Sequence, residues 1–283
     1  MSFVDKLHRF YRQKLPNLGL SRFKFFSFLR KKFLMSPIKV GDNYMYLNPN
    51  DHVISPYILN HRTWEYNETL LAKKIIKPGD IVYDCGANIG YFTLLYSKLV
   101  GSSGRVFAFE PDPLNFKFLE KNVILNSCEN VTLVQKAVSK DSGSIDLYID
   151  DYNRGDHRTY DSDSGLRSIK IESVSLDDHS TTYNHTPQFI KMDIQGGEYH
   201  ALLGMAKMLD LDSPINLSLE YWPYAMKQQG LKPEKFLDFI KERGFSFYEI
   251  DEKAALIPIE VTTVLNKYDF NYGSCTTLFC VRI

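Results

Sequence analysis

A run of seven residues, Asp84-Cys85-Gly86-Ala87-Asn88-Ile89-Gly90, constrains this chain more than any other stretch. It follows Ile81-Val82-Tyr83, a short apolar run of buried-strand type, and leads into Ile89 to Leu99, whose apolar spacing predicts a helix. Strand, glycine-containing turn and helix make the opening of a βαβ unit, which requires an interior parallel sheet with helices packed over it. Gly86 lets the backbone turn tightly and approach a ligand, and Gly90 permits close contact at the helix start. The dinucleotide spacing G-x-G-x-x-G is missing, which disfavours a pyrophosphate cradle. The acid at Asp84 suits a cationic amino-acid group better than a phosphate.

Downstream, the alternation is regular. Arg105 to Phe109 and Val131 to Lys136 read as strands, with a helix over Leu114 to Asn126 between them. Phe189 to Met192 and Ile215 to Leu219 read as buried strands around a helix from about Glu198 to Leu209, and Lys232 to Arg243 and Phe245 to Ile250 add one helix and one strand. Upstream, Tyr44 to Leu47 reads as a short strand, followed by a loop holding Asn48, Pro49, Asn50 and Pro56, then a helix over Thr63 to Ile76. The fold class that follows is α/β, a doubly wound, mostly parallel sheet with helices on both faces. A polar insertion over about 144–178, with alternating Ile145, Leu147 and Ile149 on one side and Ile169, Ile171 and Val174 on the other, reads as a two-stranded excursion that carries acceptor contacts.

Charge divides the chain into a leader and a body. Residues 1–40 hold ten Lys/Arg against Asp5 alone, leaving 24 basic and 33 acidic side chains for the rest. An acidic body argues against a broad nucleic-acid footprint, while the leader fits a local contact with an anionic membrane. Phe23 to Leu34 is too short and too charged to span a bilayer, so a basic helix packing its Phe and Leu face on the body remains the alternative. Cys85, Cys128, Cys275 and Cys280 lack zinc-ribbon spacing, and reduced thiols in a cytoplasmic protein are the simpler reading. The domain division is an extension over 1–60, basic and partly helical, and a catalytic domain over 61–283.

Twenty residues after Gly90, Phe107-Ala108-Phe109-Glu110-Pro111 puts a carboxylate at the end of the second strand, where it can accept both hydrogen bonds of a ribose diol. Together with Val82 to Thr93, Val106 to Pro111, Gln135 to Ser139, Val174 to Asp178 and Phe189 to Glu198, this ordered set closely resembles the FkbM family of methyltransferases from about Thr63 to Tyr248. The resemblance implies a class I, Rossmann-like methyltransferase fold, S-adenosylmethionine as donor, and O-methylation of a sugar, glycan or related natural-product hydroxyl. The cofactor-binding set it implies is Asp84, Gly86, Asn88, Gly90, Glu110, Pro111, Ala137 and Asp193. One departure stands out: the family commonly has an acid where this chain has Gln195.

An alcohol acceptor has to lose its proton during methyl transfer, and a neighbouring carboxylate or imidazole can take it. Asp193, at a buried strand end, is the leading candidate for that base, with cofactor or substrate positioning as its rival role. His157 is a second candidate base, and Asp156, Arg158, Glu220 and Trp222 are candidate acceptor contacts. No histidine–carboxylate pair has metal-ligand spacing, so no metal is assigned. An oxygen set of Asp193, Glu198 and Glu220 for magnesium is the lesser reading beside a structural ion pair. A nucleoside-binding module without chemistry and a nicotinamide-linked oxidoreductase are the competing functions.

Overall fold

The computed structural model describes residues 36–161 and 165–282, so the basic leader over 1–35 lies outside the described residues. Its strands are β1 (Ile38–Val40), β2 (Asn43–Met45), β3 (Ile81–Cys85), β4 (Arg105–Phe109), β5 (Val131–Val134), β6 (Ala137–Val138), β7 (Gly143–Tyr148), β8 (Ser168–Val174), β9 (Phe189–Met192), β10 (Asn216–Tyr221), β11 (Phe245–Ile250), β12 (Leu256–Pro258) and β13 (Thr276–Arg282). The helices are α1 (Ile54–His61), α2 (Tyr66–Ile75), α3 (Tyr91–Val100), α4 (Pro113–Leu125), α5 (Leu176–Tyr183), α6 (Glu198–Leu203), α7 (Ala206–Leu209), α8 (Pro223–Gln228), α9 (Pro233–Lys241) and α10 (Val261–Lys267).

Among the described residues the main sheet has the order β12-β11-β13-β10-β9-β3-β4-β5. From β10 to β5 every pairing is parallel, whereas β13 runs antiparallel to both β10 and β11. This is the class I methyltransferase form of the doubly wound sheet. Both faces are buried, and the strand residues show it by period two. Tyr83, Phe107 and Ile190 enter a core with α5, α6, α7, α9 and α10. Their neighbours Val82, Val106 and Phe189 enter the opposite core with α2 and α3.

One helix replaces what the sequence reads as a loop. The Asn48–Pro56 stretch turns into α1, where Asp51 accepts the backbone N–H of Val53 at 3.2 Å and that of Ser55, and Pro56 sits in the first turn, where no intrahelical donor is lost. Pro223 likewise occupies the first position of its helix, α8. The helix predicted over Glu198 to Leu209 breaks into α6 and α7 at Gly204, where an added Cβ would lie 2.2 Å from the Ser139 carbonyl oxygen. The 144–178 insertion forms the β7–β8 antiparallel pair, with β6 added parallel to β8. β1 and β2 pack through Ile38, Val40, Met45 and Leu47 beside α1 and α4, and Asn122 and Asn126 of α4 bond the backbone of Tyr46 and Tyr44.

Candidate active site

The strand order reverses at β3, whose chain continues into β4 on one side while β9 pairs on the other. Such a switch point opens a crevice at the carboxyl ends of the strands. The two tips meet there without side chains between them. Gly86, at φ +88°, has no room for a Cβ, which would sit 1.9 Å from the carbonyl oxygen of Asp193. Asp193 N–H donates to Cys85 O at 3.1 Å, and the N–H groups of Gly86 and Ala87 donate to Phe109 O at 3.0 and 2.9 Å. Gly90, at φ +95°, admits the Leu119 side chain of α4, whose Cδ1 would lie 2.8 Å from an added Cβ. Both glycines thus serve contact between elements, with the ligand rim as the result.

Two adjoining cavities flank this junction. The first, of about 510 Å³, is lined by Glu110, Pro111, Asn115, Ala137, Leu147, Arg154 and His157, among others. The second, of about 850 Å³, carries Trp64, Glu65, Asp84, Tyr91, Lys191 and Glu220. Gly86, Asn88, Gly155, Asp193 and Gln195 line both. Glu110 holds the rim: its two oxygens accept the N–H of Asn88 at 2.8 Å and of Asp112 at 2.9 Å. Burial pushes its carboxyl up to about 8 against those hydrogen bonds. Asp84, also buried, accepts Thr93 Oγ1–H at 2.5 Å and is raised by burial to about 6.

Across the floor of the second cavity runs a chain of charged and amide groups. Lys191 Nζ lies 3.4 Å from Glu65 Oε2 and 3.1 Å from Asp193 Oδ2. Gln195 Nε2 donates to Asp193 Oδ1 at 2.7 Å and to Glu220 Oε2 at 3.2 Å. Burial opposes the Lys191 charge, but Asp193, Glu65 and Glu68 outweigh it and hold the ammonium well above the usual lysine value. Burial, then Asp193 and Glu198, push Glu220 well above the carboxylate range. Asp193, with its side chain one-quarter exposed, lines both cavities beside the glycine junction.

A protein-family comparison matches the Methyltransferase FkbM domain over residues 84–247, more than half of the chain. The chain belongs to the FkbM methyltransferase family. The 31-O-demethyl-FK506 methyltransferase FkbM of Streptomyces tacrolimicus is 40% identical over 68 residues, 24% of this chain and 25% of that protein. A ribosomal RNA large subunit methyltransferase E of Syntrophobacter fumaroxidans is 24% identical over 168 residues, 59% of this chain and 82% of that one. Among solved structures, the methyltransferase FkbM from Methylobacillus flagellatus aligns with a TM-score of 0.44 and 16% identity, covering 72% of this chain and 43% of its own.

S-adenosylmethionine is accordingly the methyl donor, and this FkbM-family site fits it. Glu110 stands at the end of β4 where a ribose diol is bound in such sheets, and unpartnered polar atoms of Asn115, Arg154 and His157 surround the same cavity. Asp84, Gly86 and Asn88 edge the second cavity, where the cationic amino-acid half would lie.

Of the residues singled out from sequence, the family site gathers Asp84, Gly86, Asn88, Glu110, Pro111, Ala137, Asp193, Glu220 and His157 on the two cavities, with Gly90 behind them. Asp156, Arg158 and Trp222 do not line either cavity. Arg158 grips Asp156 through Nε at 2.8 Å and Nη2 at 2.7 Å, Tyr272 Oη–H donates to Asp156 at 2.7 Å, and Trp222 Nε1–H donates to Tyr272 O at 2.9 Å. This buried clasp ties the insertion to the C-terminal segment. Nor does Glu198 join an oxygen-ligand set: its Oε1 accepts the Ile194 N–H at 2.8 Å, and no metal-holding cluster of three occurs among the described residues.

The insertion lines the first cavity through Leu147, Arg154, Gly155, His157 and Thr159. Arg154 O accepts Asn88 Nδ2 at 3.2 Å and Asn115 Nδ2 at 2.8 Å, and its guanidinium pairs with Asp112 at 3.3 Å and Asp151 at 2.9 Å. Glu65, Glu68 and Arg154 were silent in the sequence because their partners are remote along the chain; Glu68 accepts Thr277 Oγ1–H at 2.7 Å across 209 positions.

Proposed function

We propose that this methyltransferase O-methylates a hydroxyl of a neutral, polyhydroxylated small molecule or glycan, with Asp193 taking the hydroxyl proton. The supporting observation is the lining of the second cavity, where Glu65, Asp84, Asp193 and Glu220 outnumber Lys191. Burial holds Glu65 and Glu220 toward their protonated forms, so the lining offers carboxyl hydrogen bonds to hydroxyl groups and little positive charge to hold phosphate, which argues against a nucleic-acid acceptor. When bound, the donor supplies an electrophilic methyl carbon. Asp193 orients the acceptor O–H and receives its proton as the new C–O bond forms. Lys191 and Gln195 hold one carboxylate oxygen each and leave further lone pairs for that hydroxyl. Trp64 and Tyr91 supply the aromatic wall on which a sugar face can rest.

The experiment is incubation with trideuteromethyl donor and a panel of free saccharides, lipid-linked saccharides, RNA and peptides, read by mass spectrometry. A labelled methyl ether on a saccharide supports the proposal; label on RNA or on an amine contradicts it. The same reading places the enzyme at an anionic membrane through residues 1–40. Binding to anionic vesicles that survives deletion of residues 1–36 would remove that part.

A further inference from the structure

Three buried polar atoms around the nucleoside cavity have no partner: Asn115 Oδ1, Arg154 Nε and His157 Nε2. The histidine carries the argument furthest. Its ring comes from the insertion, is 6% accessible, and reaches the cavity that Glu110 and Ala137 also line. Nδ1 accepts the backbone N–H of Asp150 at 3.1 Å. An imidazole nitrogen that accepts carries the lone pair, so the single proton of the neutral ring resides on Nε2. Burial lowers the His157 pKa despite the neighbouring Asp112, which keeps the ring in that neutral form. The nearest carboxylate oxygen, Asp112 Oδ2, is 3.8 Å from Nε2, too far for a hydrogen bond.

We propose that His157 is a donor-binding residue, whose Nε2–H hydrogen-bonds an acceptor atom on the nucleoside half of S-adenosylmethionine. A buried N–H left without a partner is costly, and a cavity that presents one selects a ligand able to accept it. The ring has no free lone pair in this arrangement, so it does not act as the base that its residue type suggests. Asp150 sets the tautomer, and the Arg154–Asp112 pair fixes the loop that carries the ring. This inference rests on the donor cleft alone and is independent of the acceptor.

The test is calorimetric titration of S-adenosylhomocysteine into wild type, His157→Ala, His157→Phe and His157→Gln, without any acceptor. Phe keeps the buried volume without the donor, whereas Gln restores an N–H near the Nε2 position. Affinity is expected to fall about tenfold or more in the Ala and Phe variants and to recover in Gln. In ¹⁵N spectra of the full chain, the His157 Nε2 resonance is protonated and moves on titration. Unchanged affinity in the folded Phe variant, or a His157 ring protonated only at Nδ1, would overturn the proposal.

Discussion

Gln195 Nε2 sits 2.7 Å from Asp193 Oδ1 while reaching Glu220 Oε2 at 3.2 Å, so one amide bridges the two acids at the junction of the cavities. Its backbone is in the left-handed region at φ +54°, an unusual place for a side chain of this size and one that points to a functional constraint. Replacing the amide by an acid puts a third carboxylate between two others. Gln195→Glu removes the amide N–H from Asp193 Oδ1 and is expected to lower kcat about tenfold. Affinity for S-adenosylhomocysteine should stay within a few-fold. A kcat equal to wild type would separate Asp193 from the proton transfer.

Donor binding should depend on pH through Glu110. Its carboxyl stands at about 8 in the empty cleft because it is buried, and a ribose diol donating to it favours the ionised form. Binding below pH 8 therefore releases a proton, and affinity weakens by up to about tenfold for each unit of pH below that value. Stability of the empty protein has the opposite trend. The raised Glu110 contributes stability below its unfolded value near 4.5 that is lost as pH rises through about 8. The thermal shift given by S-adenosylhomocysteine should accordingly grow from pH 6 to pH 8.5, as measured by calorimetry; a pH-independent shift would deny Glu110 this role.

Gly86→Ala tests the close approach of β3 and β9. The new Cβ meets the Asp193 carbonyl, and φ +88° is strained for alanine. A loss of about 3 kcal/mol or more is expected, lowering Tm by roughly 6–12 °C in a domain of this size. Differential scanning calorimetry reads it directly.

Arg158→Ala should act on stability and spare the cleft. The substitution leaves Asp156 buried without its bidentate partner, at a cost of about 3 kcal/mol. Because Arg158 lies off both cavities, donor affinity in the folded variant should remain near wild type. A hundredfold loss of affinity with unchanged Tm would return Arg158 to the binding site.

The parallel sheet was legible because β3, β4, β9 and β10 are buried on both faces and therefore read as continuous apolar runs. The rim of the cleft was legible for a related reason: Asp84, Gly86 and Glu110 lie within short spans beside those runs. α1 was hidden because Pro56 resembles loop punctuation yet fits a first helical turn. What the sequence could not express was pairing across distance. His157 and Arg158 are neighbours in the chain, but Asp150 turns one toward the nucleoside cavity while Asp156 and Tyr272 retain the other in the clasp. The lysine and glutamates on the cleft floor meet only once the N-terminal end of α2 brings Glu65 to Lys191 of β9, which no local pattern announces.

The most direct test of the whole account is titration of S-adenosylhomocysteine into wild type and Glu110→Ala, with Tm measured on both. The account requires firm binding by wild type and a loss of about a hundredfold in the variant, from the buried hydrogen bonds removed, with the fold retained and Tm lowered by a few degrees as the Asn88 and Asp112 N–H groups lose their acceptor. Equal affinity in the two proteins would contradict it, since the rim at the end of β4 would then hold no nucleoside.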